Sequence, residues 1–254
     1  MKIMRSLLTL TAIPAHSTFV GPAEAAMEYA AFLHDQAAAL VAQYFDTRFN
    51  AAFIAIAAPE SLSRRQMVDG GRIVTMPGYP ASDALLWQDD KGRTELWVRT
   101  FDKTANPSDL YEHAWRDYVR VFAKTEMRTE LNGRPMVIDH LYPETAAFRS
   151  KLAFVRLLAI ERRPNSLVGS AIEKLAAGPK PGKDGRDRTA TSFTLAKVSG
   201  FQGSFARRNA ARDVMRALYG HLRAKGYPVP AEGTALAALE ADIASSVLEW
   251  FRDT

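Results

Sequence analysis

Between positions 25 and 58 the chain is rich in alanine, and Phe32, Leu33, Leu40, Val41, Tyr44, Phe45, Phe49 and Phe53 recur at roughly helical spacing. That period predicts one long buried helix, broken near positions 46–50, with its aromatic rings in a core. Residues 59–107 change character. Segments 72–76, 85–88 and 95–101 are short runs of β-branched, leucine and aromatic residues, and Asp89-Asp90-Lys91-Gly92 lies between the last two. They predict strands in a small sheet, the last two joined as a hairpin. Trp87 and Trp97 are then expected to pack across strands, with base stacking as the weaker use of their rings. Pro107-Ser108 opens a helix with Leu110, Trp115, Tyr118, Val119 and Phe122 on one face. Arg116, Arg120, Lys124 and Arg128 follow at intervals of four, which predicts a basic ridge on another face, either solvated or touching phosphate.

The pattern over 133–178 is different again. Residues 135–141 form a short apolar run ending in the polar pair Asp139-His140, and Pro143 stops it because proline cannot continue a strand ladder. Residues 154–160 form a second apolar run. Pro164 suits a first helical turn, Asn165 falls in that turn, and 166–177 predict a helix with Leu167, Ile172 and Leu175 inward, closed by Gly178. The unit reads strand, loop, strand, helix, and it brings the strand end and the helix start to one edge. Beyond it, helical spacing over 205–225 (Val214, Met215, Leu218, Leu222) and 234–251 (Leu236, Leu239, Ile243, Val247, Leu248, Phe251) predicts a packing layer. The expected fold is α+β: a ββα hairpin unit within a largely helical domain that also carries a small antiparallel sheet. The expected divisions are 1–26 as an arm or signal segment, 27–132 as the helical and small-sheet region, 133–178 as the ββα unit, and 179–254 as a basic loop with C-terminal helices.

Composition narrows the function. A length of 254 residues with 47% hydrophobic is enough for one large domain or a core with an added helical layer. No run of 18 apolar residues occurs, so no membrane-spanning helix is expected and no membrane partner. The absence of cysteine excludes disulfides, cysteine zinc sites and thiol nucleophiles. A formal charge of +5 and a pI of about 9.4 favour nucleic acid, anionic membrane or acidic partners. Lys2 and Arg5 precede the apolar stretch 7–13, and Ala23-Glu24-Ala25 has a small-x-small form, which together outline a secretory signal. The other reading is a flexible arm or first strand, with a cytoplasmic location. No phosphate loop, GxGxxG or GxSxG motif is present. His34, His113 and His221 stand alone, and Glu112-His113 is a candidate support for the later site.

The chemistry concentrates at Asp139, His140 and Asn165. A carboxylate and an amide oxygen are hard donors suited to Mg²⁺ or Mn²⁺. A histidine that titrates near neutrality can take a proton from water. Adjacent strand residues point to opposite faces, so Asp139 and His140 are expected to serve different partners. With Asp139-His140-x-x-Pro143 on the first strand, Arg156-Leu157-Leu158 on the second and Asn165-x-x-x-Gly169 opening the helix, the segment resembles the HNH (ββα-metal) endonucleases. The resemblance implies His140 as general base, Asp139 and Asn165 as ligands of a divalent ion (Mg or Mn), and hydrolysis of a phosphodiester bond, with DNA the expected substrate. The family's central asparagine has no counterpart here, since Phe154-Val155 stand in its place. Glu144, Ser150 or main chain are candidates for its orienting role, and Glu173 for a distal one. The alternative is a non-catalytic nucleic-acid-binding or assembly protein with a degenerate unit. The run 178–212 holds eight basic residues and two acidic ones. It is expected to be a loop, either a phosphate clamp through Lys180, Lys183, Arg186, Arg188, Arg207 and Arg208 or a solvated surface, anchored by Phe193, Phe201 and Phe205.

Overall fold

The structure is a computed structural model that describes residues 21–46, 52–101, 108–168, 185–203 and 211–252. Helix α1 (Pro22–Phe45) starts on a proline at its first turn, a position where the missing N–H costs nothing. It buries Tyr29, Leu33, Gln36, Ala37, Leu40 and Val41, a stripe three to four residues apart. The helix expected to run through to position 58 ends at Phe45, and Phe53–Ile56 is instead a strand, β1, buried along its whole length. A strand covered on both faces shows no alternation, so its apolar run reads like a continued helix. A 3₁₀ turn (Pro59–Leu62) and α2 (Ser63–Asp69) lead to β2 (Arg72–Thr75), β3 (Ala84–Gln88) and β4 (Thr94–Arg99), the three strands the sequence predicts.

Helix α3 (Ser108–Tyr118) continues into a π-helical turn, Val119–Ala123, and stops where Lys124 takes φ 56°. The basic ridge is therefore broken: Lys124 and Arg128 lie beyond the helix, and Arg116 and Arg120 pair with Glu112 and Asp117. A one-turn π insertion shifts the helical phase, which a strict four-residue spacing does not anticipate. Strands β5 (Glu130–Leu131) and β6 (Arg134–His140) follow, then α4 (Glu144–Arg149), a short helix inside what was expected to be a loop. Strand β7 (Phe154–Glu161), helix α5 (Arg162–Val168), β8 (Arg188–Thr189), α6 (Ser192–Ser199), α7 (Ala211–Ala224) and α8 (Glu232–Arg252) complete the order. The predicted helix 166–177 and Glu173 lie, from position 169 on, outside the described residues, as do positions 1–20 of the arm or signal segment.

The strands form one eight-stranded sheet rather than a small sheet beside a separate hairpin unit. Every pairing is antiparallel, and β7 is shared: its first residues pair with β4 and β1, its later ones with β6 from Met136↔Glu161 to His140↔Leu157. Both faces of the sheet are covered. Leu86, Leu96, Val98 and Val155 join the main core with α1, α3, α6 and α7, while Leu85, Trp87, Trp97 and Phe154 form a second cluster with Phe53, Ile56 and Leu62. The period-two alternation of each strand divides its side chains between these cores. Trp87 and Trp97 are 1% and 0% exposed, so both rings are packing residues and neither is available to a base. The fold is α+β.

Candidate functional site

Strand β6 runs antiparallel to β7, and α5 follows β7 directly and packs on both strands, so strand, short helix, strand and helix occur in the expected order. Their arrangement brings two of the three predicted site residues into contact. Asn165 Nδ2 donates to Asp139 Oδ1 at 3.2 Å. The second carboxylate oxygen, Oδ2, lies 2.6 Å from the ammonium Nζ of Lys197 on α6. Lys197 is 1% exposed and the Asp139 side chain 15%, so the ammonium is fully buried and the carboxylate keeps a small opening to solvent. Burial raises the Asp139 carboxyl above its usual range, against the stabilising charge of Lys197 and the Asn165 hydrogen bond.

His140 looks the other way, as strand alternation requires. Its ring meets the ring of Tyr111 edge-on, with centroids 4.2 Å apart. Tyr111 Oη in turn donates to Glu144 Oε1 at 2.9 Å. The His140 Nε2 atom is buried without a hydrogen-bond partner. Burial pushes the imidazole down to about 4, Glu144 opposes that shift, and Lys197 adds to it, which takes His140 well below the near-neutral titration expected from the sequence. Glu144 stands beside the histidine, as one of the candidate orienting groups, and reaches the imidazole through Tyr111. Ser150 instead accepts from Gly185 N through its main-chain oxygen at 3.2 Å. Glu112 pairs with Arg116 and His113 is exposed, so neither supports the site.

Two residues of this site were missed from the sequence. Tyr111 belongs to the stripe Tyr111-Trp115-Tyr118, whose spacing marks the buried face of α3. Lys197 was counted within a basic loop, yet 192–199 is helix α6 and every one of its residues is buried. The signal was present in Thr191-x-x-Thr194 ahead of an apolar run: Thr194 N donates to Thr191 Oγ1, and Thr191 N donates to Thr194 Oγ1 at 3.1 Å. Gly200 closes the helix at φ 75°, where an added Cβ would lie 3.2 Å from Glu161 Oε1. Its seat is held from two sides, with Ser192 N donating to Asp242 and His221 Nε2 2.9 Å from Ser199 O.

The described part of the basic run is likewise anchored. Asp187 accepts from Ala57 N and Ser61 Oγ, each at 2.8 Å, and pairs with Arg64, which pins 185–188 against β1 and the 3₁₀ turn. Arg186 is exposed, and the Arg188 guanidinium lies 5.9 Å from the centre of the Tyr142 ring, two residues past His140. Lys180, Lys183, Arg207 and Arg208 lie outside the described residues, as does Phe205. Phe193 and Phe201 are buried, as expected of anchors.

The fit to a divalent ion can be judged from the donors. Among the described residues no group of three His, Cys, Asp or Glu side chains converges. The available donors are the Asp139 carboxylate and, if its amide turns, the Asn165 oxygen. Mg²⁺ takes oxygen donors and keeps several waters, whereas here Oδ1 accepts from the Asn165 amide nitrogen, Oδ2 is held by a buried ammonium and no further carboxylate converges among the described residues, so the side chains as placed do not form a divalent-ion site. Lys197 is a competing cation on the same carboxylate. Among the described residues no helix is long and apolar enough to cross a membrane. Compared with protein-family models, curated proteins and solved structures, the chain matches none.

Proposed function

We propose that the protein is a metal-dependent endonuclease of HNH type that hydrolyses phosphodiester bonds, with DNA as the expected substrate. The supporting observation is the contact between Asp139 and Asn165, made by a strand end and a helix start 26 positions apart, with His140 next in the strand. In this reading Asp139 and Asn165, turned from their present contacts, would hold Mg²⁺ or Mn²⁺, and the ion would supply positive charge toward the phosphate and the leaving oxygen. His140 accepts a proton at Nε2 from the attacking water as the new P–O bond forms and the bond to the leaving oxygen breaks. Tyr111 and Glu144 fix the imidazole plane. Arg186 and Arg188, the latter close to Tyr142, would supply positive charge to the nucleic-acid backbone, in the manner of sequence-independent phosphate contacts.

A second reading has its own support. The ammonium of Lys197 already neutralises Asp139, and the His140 Nε2 atom is buried. Both observations suit a nucleic-acid-binding or assembly protein whose ββα unit is degenerate. Cleavage of supercoiled plasmid by the purified chain with Mg²⁺, Mn²⁺ or EDTA separates the two. Metal-dependent nicking, abolished by EDTA, supports the nuclease. Retarded but uncut plasmid at every metal concentration supports the binding protein instead.

A further inference from the structure

Residues 142–151 and 185–188 run side by side. Gly185 N donates to Ser150 O at 3.2 Å, and the Arg188 guanidinium lies 5.9 Å from the centre of the Tyr142 ring. Phe148, in the last turn of α4, is 45% exposed, and Arg149, Lys151 and Arg186 are exposed on the same two segments. The chain turns back after α4. Lys151 N donates to Phe148 O at 3.0 Å and Lys151 takes φ 57°, which holds the lysine beside the phenylalanine. The two carboxylates of these segments are engaged elsewhere: Glu144 accepts from Tyr111 Oη, and Asp187 accepts from Ala57 N and Ser61 Oγ and pairs with Arg64. Among the described residues no carboxylate pairs with Arg149 or Lys151. An exposed aromatic ring therefore stands on a surface of net positive charge.

Such a surface asks for two things in one partner: anionic groups for the cations and a flat apolar face for the ring. A nucleic-acid strand with unpaired bases offers both, and stacking on an aromatic ring tolerates any base. In a duplex the base faces are already covered by their neighbours. An anionic membrane also attracts cations, but insertion takes an apolar face of several residues. The other exposed large hydrophobic residues among those described, Met27, Met67 and Ile73, belong to α1, α2 and β2. We propose that Phe148, Arg149, Lys151 and Arg186 form a platform for single-stranded DNA, with an unpaired base stacked on the Phe148 ring and the adjoining phosphates on the cations. This rests on the nucleic-acid partner of the reading above and adds that the strand is unpaired where it meets α4. It needs no metal and no cleavage.

The test is binding of a fluorescein-labelled oligothymidine by the full chain in EDTA, read by anisotropy. The same strand paired with oligoadenine and vesicles containing phosphatidylserine are measured beside it, with a melting curve for each variant. Phe148→Ala is expected to weaken binding to the single strand on the order of tenfold and to leave duplex binding nearly unchanged, while Phe148→Trp keeps the single-strand affinity. Arg149→Ala combined with Lys151→Ala is expected to lower the salt dependence by about two phosphate contacts. Equal single-strand affinity in the wild type and Phe148→Ala overturns the inference, and metal-dependent nicking of plasmid would still leave the nuclease reading standing. Equal losses on single strand and duplex overturn it as well, as does Phe148-dependent binding to the vesicles alone. No binding to any nucleic acid removes the platform and the reading it rests on together. Uncut plasmid with Phe148-dependent single-strand binding supports the platform and removes the nuclease alone. If Phe148→Ala fails to fold, ultraviolet cross-linking of a bromouracil-substituted strand to the wild type decides by mass spectrometry. A crosslink within 142–151 supports the platform, and none there overturns it.

Discussion

Two charge clusters, one around Glu95 and one around Asp139, differ in how many cations hold the carboxylate. Glu95 on β4 receives both guanidinium nitrogens of Arg65, at 2.9 Å for Nη2 to Oε1, and Gln43 Nε2 at 2.7 Å, with Arg156 Nη2 at 3.3 Å. Arg65 also pairs with Asp69 at 2.7 Å, and Arg156 Nη1 donates to Gln43 Oε1. Burial alone would raise the Glu95 carboxyl, but Arg156 and Arg65 outweigh it and bring it down to about 2. Asp139 has one lysine and one amide, its carboxyl is raised rather than lowered, and its chain neighbour His140 holds an unpartnered ring nitrogen. Neither cluster is closed completely, since Arg65 Nε and Arg156 Nη2 also lack hydrogen-bond partners. The difference lies in the cations: two guanidiniums hold Glu95 and a single ammonium holds Asp139.

The largest effect separating them is on stability. Glu95→Ala leaves two buried guanidiniums facing each other, and arginine cannot shed its charge, so a loss of about 3–5 kcal/mol is expected in urea unfolding. Asp139→Ala strands a lysine, which can deprotonate when buried, so a smaller loss of about 1–3 kcal/mol is expected. Equal losses would erase the contrast between the clusters.

Acid sharpens the same contrast. The folded Glu95 pKa, about 2, lies below its ordinary 4.5. Its contribution to stability is therefore complete above pH 4.5 and is lost as pH falls from there toward 2. Unfolding free energies of wild type and Glu95→Gln, followed from pH 6 to pH 3, are expected to converge as pH drops. Parallel curves would mean that Glu95 titrates alike in both states. The smallest effect concerns the flanking arginines: Arg186→Ala and Arg188→Ala are each expected to lower the salt dependence of DNA binding by about one phosphate contact. An unchanged slope for both would place the nucleic-acid surface elsewhere.

Much of the sheet was legible before the structure. Strands β2, β3, β4, β6 and β7 show as short apolar or alternating runs, and the contact between Asp139 and Asn165 follows from a strand end and helix start at one sheet edge. Strand β1 was not legible, because Phe53–Ile56 is buried on both faces and continues the apolar run of α1. The Glu95 cluster was not legible either. Its members come from α1, α2, β4 and β7, and the Gln43 and Arg65 contacts with Glu95 span 52 and 30 positions, so only tertiary packing makes them neighbours. Lys197 was hidden by the basic and glycine-rich run 178–212 to which it belongs, which reads as surface, and only the capped apolar helix immediately around it reveals that it is inside.

The most direct measurement is the plasmid-cleavage rate of His140→Ala beside the wild type in Mg²⁺, with both proteins shown to be folded by their melting curves. Loss of a general base is expected to slow cleavage by about 100-fold or more while the melting temperature changes little. A wild-type rate in the folded variant, or no cleavage by the wild type itself, would contradict the assignment of this edge of the sheet as a nuclease centre.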